Sequence, residues 1–381
     1  MPVLRTVSTI TLAIVSLACT ESFDSVAPPD EYGPFGVSYT SFTAVDTSRS
    51  DRALPVDVWF PVDPADTDGR PKVKYPLAPL IQLESKIAVE DAPVSAQGDL
   101  PLLLFSHGYQ GISNQSIDLM EALASHGFIV VSPEHTGNAQ ASPEDDFDTA
   151  ASNRVPDISF LIDTLFERSQ TSDDAFYGRI RQSEVGVVGH SFGGMTTIGM
   201  AAGWAGAPPD SRVTAIAPIS AVIQGDLQSS QREGDNAGFT QDRLGTIDIP
   251  TLLMGGTEDQ SVPIENNNIA YNALENTPVT YQVDVIGANH THFANVCVIG
   301  NLLIELGITM DMWPGMGATA LIDPYEATCI GDAFDFDEAL RLQNLYIVSF
   351  FKLHTGNAPD YAQYLTPKAA KSEAAIAFRR R

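Results

Sequence analysis

The sequence predicts an α/β domain whose central sheet is mostly parallel, with helices on both faces and an antiparallel N-terminal hairpin. Continuous apolar runs, such as residues 100–105, are typical of strands that are covered on both faces. Strand, helix and strand follow one another with short connections over residues 100–131, which predicts a parallel crossover unit. Alternating residues at 37–45 and 54–62, joined by a polar turn, predict the hairpin.

The remaining elements follow from the same two periods, alternation for strands and helical spacing for helices. Further strands are predicted at residues 128–131, 185–188, 213–219, 249–254 and 279–286, the last of these closing the series. Helices are predicted at residues 117–125, 154–167, directly after residue 191, and at 336–353. Residues 138–153 read as a polar loop, 224–245 as a mobile flap, and 75–98 show no clear period.

The first residues have the pattern of an export signal. Residues 1–19 combine one positive charge, a short apolar segment and small residues before Cys19. Leu17-Ala18-Cys19 resembles a lipoprotein processing box, but Ser16 stands where such boxes usually carry Leu, so lipidation of Cys19 stays open. A first helix of the domain is the alternative. We expect a secreted or periplasmic protein, or one that a lipid on Cys19 anchors to the bacterial cell envelope.

After the signal, a linker over residues 20–31 leads to the main domain at 32–366 and a C-terminal tail at 367–381. The formal net charge of −27 argues against nucleic acid and anionic membrane surfaces as partners, because both would repel the chain. Nothing in the sequence predicts an oligomeric state. No cysteine spacing is typical of a metal site, so we expect no metal.

Two cysteines remain if Cys19 is removed or lipidated. Cys297 and Cys329 would then be free to pair in an exported protein, and two buried thiols are the alternative. Cys297 directly precedes residues 298–331 and Cys329 lies near the end of them. This segment is longer than the domain needs and contains Met310, Met312, Trp313 and Met316. That segment is either a lid over a binding pocket or part of the core.

The strongest motif is the pentapeptide Gly189-His190-Ser191-Phe192-Gly193, which lies between a valine-rich strand and a helix rich in small residues. This strand–turn–helix context is typical of a nucleophilic serine held in a strained turn. The alternative is a structural turn with an idle serine. We therefore interpret Ser191 as the nucleophile of a serine hydrolase.

A serine nucleophile needs a base and an orienting acid, which in this kind of fold follow it in the order acid, then histidine. Asp259 comes directly after the predicted strand at 249–254 and is the candidate acid, with Glu258 as its competitor. Asp259 could instead cap the next helix. His290 follows the predicted strand at 279–286 and is the candidate base, with His292 as the competitor.

Acyl transfer also requires donors for the oxyanion. The backbone N–H of Phe192, directly after the nucleophile, is one candidate, and the N–H of Tyr109, after the strand at 100–105, is the other. The ring of Tyr109 is also a candidate wall of the acyl pocket. Four further histidines are expected to be structural: His107, His126, His135 and His190.

Several segments together resemble the platelet-activating-factor acetylhydrolase (isoform II) family, which adjoins the dienelactone hydrolases and the cutinase-like polyester hydrolases. They are Gly33-Pro34-Phe35-Gly36-Val37, Val58-Trp59-Phe60-Pro61, Phe105-Ser106-His107-Gly108, Ala124-Ser125-His126-Gly127-Phe128 with Glu134-His135, and Gly189-His190-Ser191-Phe192-Gly193-Gly194. The resemblance covers roughly residues 32–357. It implies an α/β-hydrolase fold, no cofactor, and a Ser-His-Asp triad.

The acid is the point of departure from the acetylhydrolases. They place it just after the strand that follows the nucleophile helix, where this chain has Ala217-Pro218-Ile219-Ser220 without a carboxylate. Asp259 matches the later position of the polyester and dienelactone hydrolases, and Ser191 argues against the Cys-dependent dienelactone activity. We expect an exported carboxylic-ester hydrolase acting on short-chain, phospholipid-type or polyester acyl esters. The alternative is an inactive hydrolase fold that serves as a surface binding module.

Overall fold

The computed structural model describes residues 26–78, 81–224 and 236–381. The predicted export signal and Cys19 lie outside these residues, as does most of the predicted flap at 224–245. The strands of the described chain are β1 (Gly36–Asp46), β2 (Arg52–Val62), β3 (Lys72–Ala78), β4 (Ile81–Val89), β5 (Leu100–Ser106), β6 (Ile129–Pro133), β7 (Ile180–His190), β8 (Val213–Ile219), β9 (Thr251–Gly256), β10 (Thr280–Val285) and β11 (Ile376–Arg380).

The helices lie between and after these strands. They are α1 (Ile117–Ser125), α2 (Phe147–Gln170), α3 (Phe192–Ala202), α4 (Gln241–Leu244), α5 (Glu265–Ala273), α6 (Val296–Glu305), α7 (Ile322–Cys329), α8 (Phe336–His354) and α9 (Pro367–Ala370). Short 3-10 turns, including Met310–Met316, complete the described chain.

All the described strands join one sheet in the order β11-β10-β9-β8-β7-β5-β6-β2-β1-β4-β3. The six central strands, from β10 to β6, run parallel. β1 and β2 form the expected antiparallel hairpin, with Gly36 opposite Val62. The prediction of a mostly parallel sheet with an antiparallel N-terminal hairpin is therefore confirmed.

Helices cover both faces of the sheet because alternate residues of its buried strands point to opposite sides. On β5, Leu102 and Leu104 pack into one core cluster with residues of α2 and α3. Leu103 and Phe105 pack into the other cluster with residues of α1 and α8. The two core clusters hold the sheet from both sides. The candidate site is built at the carboxyl ends of β5, β7, β9 and β10.

Several elements differ from the sequence-based expectation. Residues 75–98 contain most of β3 and all of β4, which pair with each other as an irregular antiparallel ribbon at one sheet edge. The polar loop predicted at 138–153 ends early, because α2 already begins at Phe147, where Asp146 caps its first turn. The strand at 279–286 is not the last one: within the predicted tail, β11 pairs antiparallel with β10.

The candidate lid at 298–331 consists of most of α6, 3-10 turns and α7. Its Leu303, Trp313 and Tyr325 form a small separate core together with Ile81 of β4. Among the described helices, none alone is long and apolar enough to cross a membrane. Only α6 together with the turn Met310–Met316 passes that test, and the two are bent by 102°.

Candidate active site

Ser191 occupies a sharp turn between β7 and α3. Its backbone has φ 59° and ψ −118°, a conformation that is strained for a residue with a side chain. The flanking glycines make this turn possible. A β-carbon on Gly193 would lie 1.8 Å from the carbonyl oxygen of Ser106, and one on Gly189 would lie 2.3 Å from that of Gly193. The turn leaves Ser191 half-buried at the carboxyl edge of the sheet.

Asp259 and His290 form a hydrogen-bonded pair. The Nδ1 atom of His290 lies 2.7 Å from Oδ2 of Asp259, which is only 3% exposed. The other carboxylate oxygen of Asp259 accepts hydrogen bonds from the backbone N–H groups of Ser261 (2.9 Å) and Val262 (2.7 Å). Asp259 does not cap the next helix, since α5 has Ile264 at its N-cap.

The surroundings of Asp259 favour its ionised form. Burial alone raises the pKa of a carboxyl, but the hydrogen bond and charge of His290, with the N–H of Val262, outweigh it and lower the pKa of Asp259. The carboxylate can therefore accept a hydrogen bond from the Nδ1–H group of His290. Nε2 of His290 is left to face a reacting group.

The two competitors are placed differently. Glu258 is exposed to solvent. His292 is buried, and both of its ring nitrogens are engaged in the loop: Nδ1 accepts from the backbone N–H of Asn289 at 2.9 Å, and Nε2 donates to the carbonyl oxygen of Phe334 at 3.0 Å. His292 thus fixes the conformation of the loop that carries His290.

His190, inside the turn, connects the nucleophile segment to His290. Its Nε2 donates to the carbonyl oxygen of His290 at 2.9 Å, and the two rings are in contact, with centroids 4.6 Å apart and planes inclined by 44°. Its Nδ1 accepts from Nε2 of Gln115 at 2.9 Å. Burial, with the nearby charge of His290, lowers the pKa of His190 to about 3, so His190 is neutral.

The oxyanion-loop candidate lies against the nucleophile. A β-carbon built on Gly108 would stand 3.6 Å from Cβ of Ser191, and Tyr109 is the next residue. In the described chain, the backbone N–H groups of Tyr109 and Phe192 donate to no other residue. Two free N–H groups beside a serine are what an oxyanion requires.

Aromatic rings line the same place. The ring of Tyr109 is 42% exposed and meets the Phe192 ring edge-on, with centroids 5.3 Å apart. Phe147, at the start of α2, contacts both rings at 6.1 and 5.1 Å. This aromatic cluster forms an apolar wall next to Ser191, and Phe147 is a member that the sequence did not reveal.

The other predicted structural histidines are buried. His135 lies in a second Ser-His-Asp array: its Nε2 is 3.0 Å from Oγ of Ser106, and its Nδ1 is 2.9 Å from Asp157. All three side chains are at most 1% exposed, so no substrate reaches them. His126 contacts the carbonyl oxygen of Glu31 at 3.0 Å, and burial lowers its pKa to about 4.

Two polar residues that organise the site escaped sequence analysis. Gln115 accepts from the backbone N–H of Gly108 at 2.9 Å while its amide binds His190. Arg154 is fully buried and donates to the carbonyl oxygens of His107 and Gly108. Neither residue lies in a motif. A buried arginine on an otherwise amphipathic helix would have been the only sequence signal.

Cys297 and Cys329 form a disulfide that joins α6 to α7. The end of α7 contacts the loop of His290: Asn289 donates to the carbonyl oxygen of Ala327 at 3.0 Å, and the hydroxyls of Thr291 and Thr328 are 2.5 Å apart. The bond therefore fastens the candidate lid beside the candidate base.

A cleft of about 550 Å³ opens at His290. Its walls include Glu258 and, from the region around α7, Asp323, Asp332 and Phe334. In the parts of the chain that the structure describes, no group of three His, Cys, Asp or Glu side chains is arranged to hold a metal ion.

Residues 86–259 match the model of the family described as Chlorophyllase. The match indicates an ester hydrolase of the α/β-hydrolase type. It spans less than half of the 381 residues, and it includes Tyr109 and Ser191 but ends at Asp259, before His290. No curated protein matches the chain significantly in sequence.

Proposed function

We propose that this chain is an exported serine carboxylic-ester hydrolase, with Ser191 as nucleophile, His290 as base and Asp259 as orienting acid. The observation that carries the proposal is the 2.7 Å contact between Nδ1 of His290 and Oδ2 of Asp259, in a loop that His190 holds against the serine turn. The three residues come from three segments that end at the same edge of the sheet.

In the first half-reaction, Oγ of Ser191 attacks the ester carbonyl carbon while Nε2 of His290 takes the hydroxyl proton. Asp259 accepts the hydrogen bond from Nδ1–H of His290 and stabilises the imidazolium that forms. The tetrahedral intermediate collapses, the bond to the leaving oxygen breaks, and His290 donates its proton to that alkoxide. The alcohol leaves, and an acyl-Ser191 ester remains.

In the second half-reaction, His290 removes a proton from water, and the hydroxide attacks the acyl carbonyl. Collapse of this intermediate breaks the bond to Oγ of Ser191, which recovers its proton from His290, and the carboxylic acid is released. In both intermediates the carbonyl oxygen becomes negative, and the N–H groups of Tyr109 and Phe192 would stabilise it.

For substrates, we propose short-chain, phospholipid-type or polyester acyl esters, in line with the resemblance to the platelet-activating-factor acetylhydrolases and polyester hydrolases. The aromatic cluster of Tyr109, Phe147 and Phe192 favours a substrate with an apolar acyl group. Half of the exposed large apolar side chains in the described residues lie in the candidate lid: Ile304, Leu306, Met312, Met316 and Ile330. Such a surface suits an ester presented in a lipid or polymer phase.

Export belongs to the same proposal. The signal-like pattern of residues 1–19 favours a protein that is secreted, periplasmic or anchored by a lipid on Cys19. The Cys297–Cys329 disulfide supports an oxidising compartment.

The first experiment measures hydrolysis of p-nitrophenyl acetate, butyrate and octanoate by the mature chain, together with fluorophosphonate labelling. We expect Ser191→Ala to abolish both labelling and turnover. His290→Ala should lower turnover by about 10⁴-fold or more, because the base is lost. Absence of turnover and of labelling in the wild type would contradict the proposal and leave an inactive surface binding module.

The lid proposal has its own test. Leu306→Ser should lower the rate on an emulsified triacylglycerol several-fold and leave the rate on dissolved p-nitrophenyl acetate unchanged. Tyr177→Ser is the matched control, because Tyr177 is similarly exposed but lies outside the candidate lid. Equal effects of the two variants on the emulsion would contradict a role of the candidate lid in contacting the substrate phase.

A further inference from the structure

One peptide group links the proposed oxyanion hole to the interior of the protein. The N–H of Tyr109 and the carbonyl of Gly108 belong to the same peptide unit. This unit is planar and trans, so its C=O and N–H point in opposite directions. Whatever holds the Gly108 oxygen therefore fixes the direction of the Tyr109 N–H.

Three donors converge on the Gly108 oxygen. They are Nη2 of Arg154 at 3.0 Å, Nδ1 of His107 at 2.7 Å and the backbone N–H of Gly111 at 3.1 Å. The tautomer of His107 is fixed, because its Nε2 accepts from the backbone N–H of His135 at 3.2 Å. The Gly108 carbonyl oxygen thus accepts hydrogen bonds from one cation, Arg154, and from two neutral donors.

Arg154 reaches this place from α2 and is fully buried. Besides Gly108, it donates to the carbonyl oxygen of His107 (2.5 Å), to Oδ1 of Asn138 (2.5 Å) and to Oγ of Ser106 (3.2 Å). Its guanidinium lies 4.8 Å from the centre of the Phe192 ring. Arg154 therefore contacts Gly108, which precedes the proposed donor Tyr109, and Phe192, which supplies the other proposed donor.

These partners are all neutral. Within the described residues, no carboxylate oxygen lies within salt-bridge distance of Arg154, whereas the nearby Asp157 pairs with Arg49, Arg52 and His135. Burial lowers the pKa of Arg154 to about 9, which leaves it charged at neutral pH. A buried charge that makes no direct ion pair is costly to keep, although the charge of Asp157 offsets part of that cost, so a compensating role is expected.

We propose that Arg154 is the positioning residue of the oxyanion hole: it orients the Tyr109 N–H through the Gly108 carbonyl, and its positive charge strengthens that donor when the oxyanion forms. This inference rests on the proposed function of Ser191. A cation on the carbonyl polarises the peptide unit and makes its N–H a better donor. The effect grows in the transition state, where the substrate oxygen becomes negative.

A purely structural arginine would behave differently. Its loss would lower stability, and with it the amount of active enzyme, without changing the kinetics of the folded fraction. A positioning role instead lowers kcat at nearly constant KM, since the ground-state carbonyl gains little from the oxyanion donors. It also weakens binding of a transition-state analogue more than binding of a ground-state analogue.

The experiment compares Arg154→Gln and Arg154→Lys with the wild type. For each, kcat and KM are measured on p-nitrophenyl acetate, together with inhibition by hexyl trifluoromethyl ketone, which forms a tetrahedral adduct with the serine, and by hexyl methyl ketone. Arg168→Gln is the matched control, because Arg168 lies on the same helix and over two aromatic rings, Phe42 and Phe176, but does not contact residues 106–109.

We expect Arg154→Gln to lower kcat about 10- to 100-fold, somewhat less than direct removal of an oxyanion donor. Inhibition by the trifluoromethyl ketone should weaken by a similar factor. Inhibition by the methyl ketone and the KM should both stay within about twofold of the wild-type values. Arg154→Lys keeps the charge but not the fork of donors, so it should lie between the Gln variant and the wild type. Arg168→Gln should keep the wild-type kcat.

Unchanged kcat and ketone inhibition in a folded Arg154→Gln protein would overturn the inference. If that variant does not fold, Arg154→Lys decides in the same way: wild-type kcat and ketone inhibition overturn the inference, and a parallel loss of both supports it. Failure of the proposed function is distinguishable, because the wild type itself would then show no turnover.

Discussion

The imidazole of His190 donates from Nε2 to the carbonyl oxygen of His290, 2.9 Å away and 100 positions later in the chain. The two rings are also in contact, with centroids 4.6 Å apart and planes inclined by 44°. A residue of the nucleophile turn thus holds the backbone of the proposed base. Gln115 orients His190 and also binds the N–H of Gly108, so one side chain connects the proposed oxyanion loop, serine turn and base.

This connection predicts a role for Gln115. Gln115→Leu removes both hydrogen bonds, and we expect it to lower kcat/KM about tenfold and the free energy of unfolding by about 1–3 kcal/mol. Gln115→Glu keeps an acceptor for Gly108 but loses the donor to His190, so its kcat/KM should be intermediate. Kinetics on p-nitrophenyl butyrate and urea unfolding measure the two effects. Wild-type kinetics in Gln115→Leu would refute the role.

The acid can be tested against its exposed neighbour. Asp259→Asn keeps the shape of the side chain but cannot hold His290 in the required tautomer, so kcat should fall about 10²- to 10⁴-fold. Glu258→Gln removes the adjacent carboxylate and should change kcat less than twofold. Steady-state kinetics on p-nitrophenyl acetate decide between them. A large loss in Glu258→Gln with an active Asp259→Asn would reassign the acid.

The disulfide should contribute both stability and activity. Its cysteines are 32 positions apart, a loop whose closure stabilises the folded state by about 3–4 kcal/mol on the chain-entropy account. Replacing Cys297 and Cys329 by Ala should lower the Tm and, because α7 contacts the loop of His290, reduce kcat several-fold.

The control is reduction of the protein with dithiothreitol. The reductant should reproduce the loss of activity in the wild type and have no further effect on the double Ala variant. A reduced wild type with full kcat would show that the disulfide does not support the site.

Two glycines provide a matched pair for the serine turn. Gly193→Ala would place a β-carbon 1.8 Å from the carbonyl oxygen of Ser106, so the backbone of β5 or α3 must move. We expect loss of activity and a free energy of unfolding lowered by several kcal/mol. Gly69→Ala meets open space and only the strain of φ +73°, which costs about 1 kcal/mol. Denaturant unfolding and serine labelling compare the two. Similar stabilities would show that the turn can relax.

The sequence was sufficient for elements that follow one periodic pattern. The predicted bounds of α1 and β8 are those of the structure, because an amphipathic run and a mostly apolar run are each flanked by polar residues. β3 and β4 lie at the sheet edge, where pairing is irregular and one face is exposed, so their residues lack a clear period. β11 is rich in arginine and gains its strand conformation only by pairing with β10.

The same distinction applies to the candidate site. Ser191 stands in a local motif, and the positions of Asp259 and His290 follow from strand ends and chain order. Gln115 and Arg154 act through contacts with residues 7 to 75 positions away, which no local pattern encodes. Sequence reasoning therefore finds the groups proposed to react and misses those that hold them in place.

A buried carboxyl away from the site predicts a measurable pH dependence of stability. Glu121 is 1% exposed and accepts hydrogen bonds from the hydroxyls of Tyr75 and Ser85. Burial raises its pKa to about 7, from an ordinary value of 4.5. Between these two values the folded state binds more protons than the unfolded state, so the contribution of Glu121 to stability is complete below pH 4.5 and is lost as the pH rises through about 7.

Glu121→Gln keeps an acceptor for both hydroxyls and cannot ionise. Relative to the wild type, the variant should therefore gain about 1–3 kcal/mol in free energy of unfolding between pH 4.5 and pH 8. Urea unfolding of both proteins across this range measures the difference. A difference for Glu121→Gln that is constant with pH would mean that Glu121 ionises as readily in the folded chain as in the unfolded one.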